Sequence, residues 1–358
     1  MKKTLIIVIN PGSTSTKLAV YNGMENIFEK TIRHSAEDLK DFTRITDQFH
    51  FRKNMIMNEL EKNKIDLQSV AAVVGRGGLV KPIESGLYRV NDKMKNDLRN
   101  SPMGEHASNL GALIADDIAS EIPGIPAFIV DPVVVDELQP VARISGHPLI
   151  PRLSIFHALN QKAVARIYAS ENGKKYEDLN LIVAHMGGGI SVGAHYKGRV
   201  IDVNNALGGD GPFSPERSGG LPSNQLVELC FSGLYTAAEV KAMLVGRGGM
   251  MAYLGTNDFM EISRRAEEGD DKAALITDAA AYQVAKEIAA MSAVLSGDVD
   301  AIILTGGLAH QINFIEKIKS RTKFIAEVAV YPGEDEMKAL AYNTFLALTG
   351  RIEIRDYN

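Results

Sequence analysis

The sequence predicts an α/β fold built from two duplicated halves, because a strand–hairpin–strand pattern occurs at the start of the chain and again in its middle. In the first copy, the apolar run Leu5–Ile9 breaks into the polar stretch Asn10–Lys17 and resumes as Leu18–Tyr21. In the second copy, Leu181–His185 leads into a glycine loop and returns as Ile190–Tyr196. Two hairpin-led halves in one chain of 358 residues indicate a duplication.

The tip of the first hairpin has the composition of an anion-binding loop. Gly12 lets the backbone bend, the hydroxyl side chains at 13–16 can face an anion, and Lys17 adds a positive charge. A Walker A loop is excluded, because it needs two glycines, a Lys-Ser/Thr pair and a following helix, whereas Lys17 opens a strand. For this segment taken alone, an ordinary Gly/Ser/Thr turn remains the alternative.

Composition and charge indicate a cytoplasmic two-domain protein without a nucleic-acid or membrane partner. The net charge of −5 is spread without charged runs, which argues against a nucleic-acid surface. The first apolar run is too short for a signal peptide, and no stretch reaches the length of a membrane helix. The single cysteine, Cys230, excludes an intramolecular disulfide and is expected to be a buried small side chain.

Periodicity predicts the remaining elements in order along the chain. A capping box at Ser35–Asp38 opens a helix that is expected to continue through Phe49. A long Ala-rich helix over 271–295 is expected to bury a stripe that includes Leu275 and Tyr282. The other predicted elements are strands at 24–31, 70–74, 127–130, 199–203, 301–304 and 324–330, and helices at 105–121 and from Lys338 onward.

Polar or glycine-rich segments follow several of these strands, at the position where α/β folds bind ligands. Asp131 comes directly after the strand at 127–130. The loop at 208–220 is too rich in glycine to be packing material. The pair Gly306–Gly307 would let a flat ligand such as adenine approach the backbone closely.

Motifs spread over the whole chain resemble the acetate and butyrate kinase family. They are, in order, Asn10-x-Gly12-Ser13-x-Ser15-x-Lys17, Arg76-Gly77-Gly78, Asp131, Phe156-His157, His185-Met186-Gly187-Gly188-Gly189, Arg217-Ser218-Gly219 and Thr305-Gly306-Gly307. The resemblance implies an actin-like ATPase (ribonuclease H-like) fold, whose duplicated domains face each other across a nucleotide cleft. It divides the chain into an N-terminal acyl kinase domain, residues 1–150 plus a closing helix at about 340–358, and a nucleotide-binding domain, residues 151–339.

Three segments, 131–137, 155–161 and 202–206, resemble the butyrate kinase branch of that family, and Gly188 stands where acetate kinases carry Asn. The reaction that this implies is the reversible transfer of the γ-phosphoryl group of ATP to butanoate, giving ADP and butanoyl phosphate, with Mg²⁺. A branched-chain acid, acetate or propionate is the alternative acceptor.

The resemblance implies four catalytic residues, namely Arg76, Asp131, His157 and Arg217. A fatty acid is already ionised at pH 7, so the chemical difficulty is charge repulsion rather than deprotonation. Arg76 and Arg217 are expected to flank the transferring phosphoryl group, and His157 to donate a hydrogen bond to the transition state. A structural salt bridge is the alternative for Arg76, and a turn or capping role the alternative for Asp131.

The same resemblance implies residues that bind the nucleotide, the metal and the acid. The expected ATP/ADP-binding residues are Asn10, Gly12, Ser13, Ser15, Lys17, His185, Gly187, Gly188, Gly189, Gly306 and Gly307. Mg²⁺ is assigned to Asn10, Asp131 and Glu336, with Glu334 as the alternative to Glu336. Gly78, Phe156 and Pro212 are expected to line the acyl chain, with space for a propyl tail where Gly77 and Gly78 lack side chains.

The expected partners are a small acid and further copies of the chain, in a homo-oligomer that is a dimer or a multiple of one. Two other functional classes stay open: a sugar kinase with Asp131 as general base, and a nucleotide-switched regulator of the same superfamily. The regulator is disfavoured, because the first strand begins at Leu5 and leaves no room for an N-terminal DNA-binding module.

Overall fold

Both halves of the chain repeat one order of strands in the computed structural model, which describes residues 3–358. The strands are β1 (Leu5–Pro11), β2 (Ser15–Asn22), β3 (Glu25–Arg33), β4 (Val70–Arg76), β5 (Leu87–Arg89), β6 (Ala127–Val130), β7 (Asn180–Met186), β8 (Ile190–Tyr196), β9 (Arg199–Val203), β10 (Ala301–Gly306), β11 (Val328–Pro332) and β12 (Ile354–Asp356). The helices are α1 (Ala36–Leu39), α2 (Phe49–Lys62), α3 (Asp92–Asn100), α4 (Asn109–Ser120), α5 (Ala158–Glu171), α6 (Ser223–Phe231), α7 (Ala237–Leu244), α8 (Gly249–Leu254), α9 (Phe259–Glu267), α10 (Asp271–Val294), α11 (Ile312–Thr322) and α12 (Glu336–Leu348).

The first compact unit comprises the residues up to Val135 together with Asp335–Asn358. Its seven-stranded sheet has the order β12-β5-β6-β4-β1-β2-β3. The strands β1, β2 and β3 form an antiparallel meander, whereas β4 lies parallel to β1 and β6 parallel to β4. Helices α2, α3 and α4 contribute apolar side chains to the core that covers this sheet.

The second compact unit, Asp136–Glu334, repeats this arrangement in a five-stranded sheet of order β11-β10-β7-β8-β9. Here β7, β8 and β9 form the antiparallel meander, and β10 and β11 add as parallel strands. Helices α10 and α11 pack in one core and α5 packs in another, so apolar side chains cover both faces of the sheet. The central strand β7 is buried along its whole length, which explains its continuous apolar run.

The units divide after Val135 and after Glu334, whereas the sequence suggested divisions at about 150 and 340. The roles assigned to the two domains stay a prediction. Within residues 3–358, no helix has the length and apolar character needed to cross a membrane.

The predicted continuous helix from Ser35 through Phe49 is wrong. The capping box of Ser35 is present, but α1 ends at Leu39 and Arg44 is extended, with φ −113° and ψ 153°. The backbone becomes α-helical again only at Phe49. Apolar residues at helical spacing therefore suggested one helix, although they belong to separate short segments.

Two expectations about burial are also wrong. On α10, Leu275 and Tyr282 are exposed, and the buried stripe consists mainly of small residues such as Ala273, Ala280 and Val284. Small side chains such as alanine let a helix pack closely against its neighbours. The large side chains of Leu275 and Tyr282 therefore did not indicate the buried face. Cys230 is exposed as well, because α6 buries none of its residues.

Candidate active site

Three predicted site residues lie at the carboxyl ends of adjacent parallel strands in the first unit. Asn10 is near the end of β1, Arg76 ends β4, and Asp131 directly follows β6. The sheet order β6-β4-β1 makes these strands neighbours, with a spacing of about 4.8 Å. The three residues therefore lie at the strand ends where the sequence placed them, along the edge of the sheet at which α/β folds bind ligands. Their roles stay a prediction.

Glu336, the first residue of α12, joins this edge. Its Oε2 accepts a hydrogen bond from Asn10 Nδ2 at 2.7 Å, and its Oε1 lies 3.1 Å from Nη2 of Arg76. The carboxylate is buried, with 5% of the residue exposed. The salt bridge considered as an alternative for Arg76 is thus present, and it also orients the guanidinium group.

Asp131 sits in the left-handed region of backbone space, with a φ of +37°. Its Oδ1 accepts hydrogen bonds from Ser85 Oγ at 2.6 Å and from the Gly86 N–H at 2.9 Å. A turn role for Asp131 is therefore real. Non-glycine residues seldom adopt this conformation, and such strain concentrates at functional sites.

The donor set at this strand edge fits an Mg²⁺ ion that is held largely through water. Asp131 and Glu336 offer carboxylate oxygens, and Asn10 offers its amide oxygen because Glu336 engages its nitrogen. Across residues 3–358, no group of three or more His, Cys, Asp or Glu side chains is arranged to hold a metal. Mg²⁺ ordinarily keeps waters and substrate phosphates as ligands, so it needs no such cage. The metal assignment stays a prediction.

The first hairpin has its exposed tip at Ser13 and Thr14, between β1 and β2. The Gly12 N–H closes the turn by donating to Ser15 O at 2.7 Å. In the antiparallel pairing of β1 with β2, Lys17 lies directly opposite Asn10. The register thus brings the predicted phosphate-binding lysine beside the edge that carries Arg76 and Glu336.

Arg52, on α2, supports this hairpin from inside the protein and was missed by sequence reasoning. Its guanidinium donates to the backbone oxygens of Gly12 at 2.8 Å, Ser13 at 3.0 Å and Ser15 at 3.0 Å. Arg52 is fully buried, and burial lowers its pKa to about 10, so it remains charged at neutral pH. A usable signal existed, because Arg52 shares the buried helical stripe of Ile56.

The second hairpin begins with a fully buried histidine at the end of β7. Nδ1 of His185 lies 2.7 Å from Asn160 Oδ1. Its Nε2 is 3.1 Å from Oε1 of Glu334, yet makes no hydrogen bond within the part of the chain that the structure describes. A buried ring nitrogen without a hydrogen-bond partner, beside a glycine loop, fits the predicted contact with a nucleotide phosphate.

The three glycines of the second loop are close to other side chains. A Cβ at Gly187 would lie 3.0 Å from Oε1 of Glu334, and one at Gly188 would lie 3.3 Å from Oε1 of Glu216. At Gly189, a Cβ would lie only 2.0 Å from Nη1 of Arg217. Among these neighbours only Arg217 favours an anion at the loop, whereas the carboxylates of Glu334 and Glu216 oppose one. The Gly187 N–H already donates to Gly189 O at 3.0 Å.

Arg217 is brought to the second loop by the glycine-rich segment at 208–220. Its Nη1 donates to Ala206 O at 2.7 Å, and its backbone N–H donates to Ser214 Oγ at 3.1 Å. Ser214 Oγ in turn donates to Gly188 O at 2.6 Å. The segment is thus tied to the phosphate loop, and it places the predicted catalytic arginine against Gly189.

The two glycines after β10 have different roles. Gly306 has a φ of +91°, and a Cβ there would lie 2.3 Å from Met186 O, so close backbone packing alone requires this glycine. Gly307 is exposed, and a Cβ there would meet nothing within 4 Å. The open approach expected for a flat ligand is present at Gly307.

His157 precedes α5 and lies beside the second hairpin. Its ring stacks on that of His185, with centroids 3.8 Å apart and planes 15° apart. Nδ1 of His157 lies 2.9 Å from Ser191 Oγ on β8. Within the second unit, the structure therefore gathers His157, His185 and the glycine loop.

Comparison with known proteins decides the family. A sequence model of the acetokinase family matches residues 149–331. Butyrate kinase 1 of Clostridium acetobutylicum is 58% identical over 352 residues, which cover 98% of this chain and 99% of that relative. Butyrate kinase 2 of the same organism is 54% identical over 355 residues, covering 99% of each. The chain belongs to the acetokinase family.

Solved acetokinase structures share the fold. Acetate kinase from Porphyromonas gingivalis superposes with a TM-score of 0.79 at 18% identity, covering 97% of this chain and 100% of that chain. A propionate kinase from Francisella tularensis gives a TM-score of 0.74 at 21% identity, covering 95% and 98%. The predicted duplicated, actin-like α/β fold is confirmed.

The expectation that Gly77 and Gly78 leave space for the acyl chain is wrong. Gly77 and Gly78 do not leave space, because a Cβ at Gly78 would lie 2.6 Å from Cα of Asn109 and one at Gly77 would lie 2.5 Å from Cβ of Pro132. These glycines permit close packing on α4 and on the turn after β6. The absence of a side chain was mistaken for the presence of a cavity.

The other two predicted acyl contacts are buried in the second unit, where Phe156 is 2% exposed. Pro212 lines a cavity of about 330 Å³ together with Tyr282, Lys286 and Glu287. Burial raises the pKa of Glu287 to about 7, with Asp210 nearby adding to the shift. This cavity is polar in part, and Phe156 is not among the residues that line it.

Proposed function

We propose that this protein is a short-chain fatty acid kinase that catalyses ATP + butanoate = ADP + butanoyl phosphate in either direction. The observation that carries the proposal is the 58% identity, over nearly the full length of both chains, to a relative named butyrate kinase. Acetate, propionate and branched-chain acids are the alternative acceptors. The solved relatives named acetate and propionate kinase share the fold but are too distant to choose among them.

The proposed transfer needs cations more than it needs a base. The attacking carboxylate is ionised at pH 7, and it must approach an anionic triphosphate. Preorganised positive groups that stabilise the charge of the transition state therefore supply most of the catalysis. The chain provides Arg76 and Arg217 at strand or loop ends, each held by hydrogen bonds or an ion pair.

In the first unit, the proposed roles follow from the strand edge and its hairpin. Arg76, aimed by Glu336, neutralises charge on the phosphoryl group or the acid. Asp131 and Glu336, with Asn10, hold Mg²⁺ through its waters, and this ion would neutralise phosphate charge when bound. Lys17 with Ser13 and Ser15 supports the phosphates.

In the second unit, the proposed roles follow from the glycine loop. His185 and Gly187–Gly189 grip phosphate oxygens, and Arg217 stabilises the transferring group. His157 donates a hydrogen bond to the transition state. Gly307 admits the adenosine, while Gly306 lets the backbone pack against Met186. Phe156 and Pro212 are proposed to contribute apolar surface toward the acyl chain.

The choice of butanoate as the acid now depends on the relatives, since Gly78 offers no space and Phe156 does not line the cavity beside Pro212. A sugar kinase with Asp131 as general base is less well supported. One oxygen of the Asp131 carboxylate already accepts hydrogen bonds from Ser85 and Gly86, so it is engaged in the turn after β6.

Hydroxylamine trapping tests the proposed reaction. The enzyme is incubated with ATP, Mg²⁺, hydroxylamine and each straight-chain acid from acetate to hexanoate, and acyl hydroxamate and ADP are measured together. We expect hydroxamate with butanoate at the highest kcat/KM. Release of ADP with sugars and none with acids would reject a carboxylate kinase.

A matched pair of variants links this reaction to the proposed site. Arg217→Ala should lower kcat by about a hundredfold or more, the scale for losing one key electrostatic donor. Arg247→Ala removes an exposed arginine of the same unit and should leave kcat near normal. Equal rates for the two variants would remove Arg217 from the mechanism.

We also propose a homo-oligomer, supported by exposed apolar side chains on and after α6. Val227, Phe231 and Leu234 are all more than half exposed, and clustered exposed apolar residues mark interaction surfaces. Light scattering should show that Phe231→Glu reduces the assembly, whereas Phe324→Glu, at another exposed phenylalanine, does not. A monomeric wild-type protein would reject the oligomer.

A small acid and nucleotide are the only partners that we propose besides further copies of the chain. The net charge of −5 gives no attraction to nucleic acid. A cytoplasmic location is proposed because the single cysteine is a free, exposed thiol, which suits a reducing compartment. Fractionation of cells followed by the hydroxamate assay tests the location.

A further inference from the structure

A continuous series of buried hydrogen bonds leads away from the ring of His157. Nδ1 of His157 lies 2.9 Å from Ser191 Oγ, and Gln161 Nε2 donates to the same Oγ at 2.8 Å. Gln161 Oε1 lies 2.9 Å from Nε2 of His195, whose Nδ1 lies 2.7 Å from the hydroxyl of Tyr176. Ser191, Gln161 and His195 are fully buried and Tyr176 is 4% exposed.

The direction of each hydrogen bond can be deduced by starting at Gln161 and His195 and working back toward His157. Gln161 Nε2 also donates to Ser191 O at 3.0 Å, and a backbone carbonyl can only accept, so the orientation of the amide is fixed. Its oxygen therefore faces Nε2 of His195, which must carry the proton. Burial holds the pKa of His195 well below its usual range, so its Nδ1 carries no proton and accepts from Tyr176.

Counting donors and lone pairs also fixes the direction of the Ser191 hydroxyl hydrogen. The hydroxyl oxygen has two lone pairs, and they accept from Gln161 Nε2 at 2.8 Å and from the backbone N–H of His157 at 3.4 Å. The single hydroxyl hydrogen is then left for Nδ1 of His157. A neutral imidazole that accepts at Nδ1 carries its proton on Nε2.

We propose that Ser191, Gln161, His195 and Tyr176 are positioning residues that hold His157 in the tautomer with its proton on Nε2. This inference rests on the proposed role of His157 as a hydrogen-bond donor in phosphoryl transfer. With the opposite tautomer, Nε2 would present a lone pair to anionic oxygens and repel them. The stacked ring of His185 fixes the plane in which this N–H points.

A purely structural role for these polar groups makes a different prediction. If they only satisfy one another in the core, removing the Ser191 hydroxyl should lower stability and leave the His157 tautomer unchanged. Tautomers are read directly from the ¹⁵N shifts of histidine side chains. The protein has eight histidines, and the His157 signals are assigned by their loss in His157→Gln.

The wild-type protein provides the first test, at pH 8, where an ordinary imidazole is neutral. We expect the His157 pattern to show a protonated Nε2 and an unprotonated Nδ1. The reverse pattern overturns the proposal without any variant. No turnover is required, so absence of hydroxamate would reject the proposed reaction and leave the tautomer result standing.

Ser191→Ala provides the second test. Loss of the hydroxyl that donates to Nδ1 should produce a mixture of tautomers and lower kcat about tenfold, the scale of one hydrogen bond, with KM for ATP within about twofold. Ser191→Thr keeps the hydroxyl and should retain the wild-type pattern. Thr277→Val removes a different buried hydroxyl, one that donates to Ala273 O, and should change neither quantity.

An unchanged His157 pattern in Ser191→Ala would overturn the proposal. If that variant does not fold, Tyr176→Phe removes the hydroxyl that fixes His195 and leaves the first hydrogen bond in place. We then expect a smaller but measurable shift of the His157 pattern. Identical ¹⁵N shifts at both His157 and His195 in that variant would count against a connected series.

Discussion

The two hairpins have the same topology, yet they present their tips to ligands in different ways. The first hairpin has exposed hydroxyls at Ser13 and Thr14, and a fully buried arginine, Arg52, binds its backbone oxygens from inside. The second has three glycines and is surrounded by side chains from other segments, including Arg217.

This difference shows how a duplicated element can diverge. In the first hairpin the positive charges lie beneath the tip and on the strand, at Arg52 and Lys17, so the tip can carry side chains. In the second, the charge of Arg217 lies against the loop itself, and a side chain at Gly189 would displace it. Side chains should therefore be tolerated at the first tip and not at Gly189.

The largest effect is expected from Gly189→Ala. A Cβ there would lie 2.0 Å from Nη1 of Arg217, so the guanidinium must move away from the loop. We expect kcat to fall about a hundredfold, as for removal of the arginine itself. Gly188→Ala is the matched control, since its Cβ would lie 3.3 Å from the end of the flexible Glu216 side chain. Equal kcat for the two variants would show that Arg217 does not depend on the bare loop.

Arg52→Met should chiefly destabilise the first hairpin. The change leaves three backbone oxygens without their donor, which we expect to cost about 3 kcal/mol of unfolding free energy, together with a raised KM for ATP. Arg52→Lys keeps the charge but cannot form the same fork, and should recover only part of the loss. Urea unfolding of both variants measures this, and wild-type stability in Arg52→Met would contradict it.

Arg52 and Gly78 show which features of the site the sequence could not predict. Most of the strands, the two hairpins and the strand-end positions of Asn10, Arg76 and Asp131 followed from apolar periodicity and from motifs that are local in sequence. Arg52 lies far from Gly12 along the chain, so its contact with the tip depends on how α2 packs. The prediction of space at Gly78 was wrong for the same reason, because the packing of α4 places Asn109 there.

A pH-dependent loss of stability is expected from His34, which also supports the first hairpin through Thr16 Oγ1 at 2.9 Å. Burial, with Arg52 nearby, lowers its pKa to about 4. Between pH 6.5 and 4 the unfolded chain binds a proton at His34 and the folded chain does not, so stability falls as pH falls. We therefore expect a loss of about 2 kcal/mol at pH 5.

Unfolding free energies at pH 7.5 and pH 5 check this loss. Gln in place of His34 cannot take up a proton, so His34→Gln should lose about 2 kcal/mol less than wild type between these pH values. His50→Gln changes an exposed histidine and should follow wild type. Parallel pH dependence in wild type and His34→Gln would mean that His34 is not buried as a neutral ring.

The smallest effect is expected at the exposed tip of the first hairpin. Ser13→Ala removes one hydroxyl from the proposed phosphate contact, and a single hydrogen bond contributes about 0.5–1.5 kcal/mol, so KM for ATP should rise roughly two- to tenfold with little change in kcat. Thr14→Ala removes the neighbouring exposed hydroxyl, which the motif leaves unassigned, and should leave KM unchanged. Because neither side chain is packed, both variants should keep wild-type stability. A large loss of kcat in Ser13→Ala would mean that the first tip, like the second, positions the transferring group itself, and the proposed division of roles between the hairpins would be wrong.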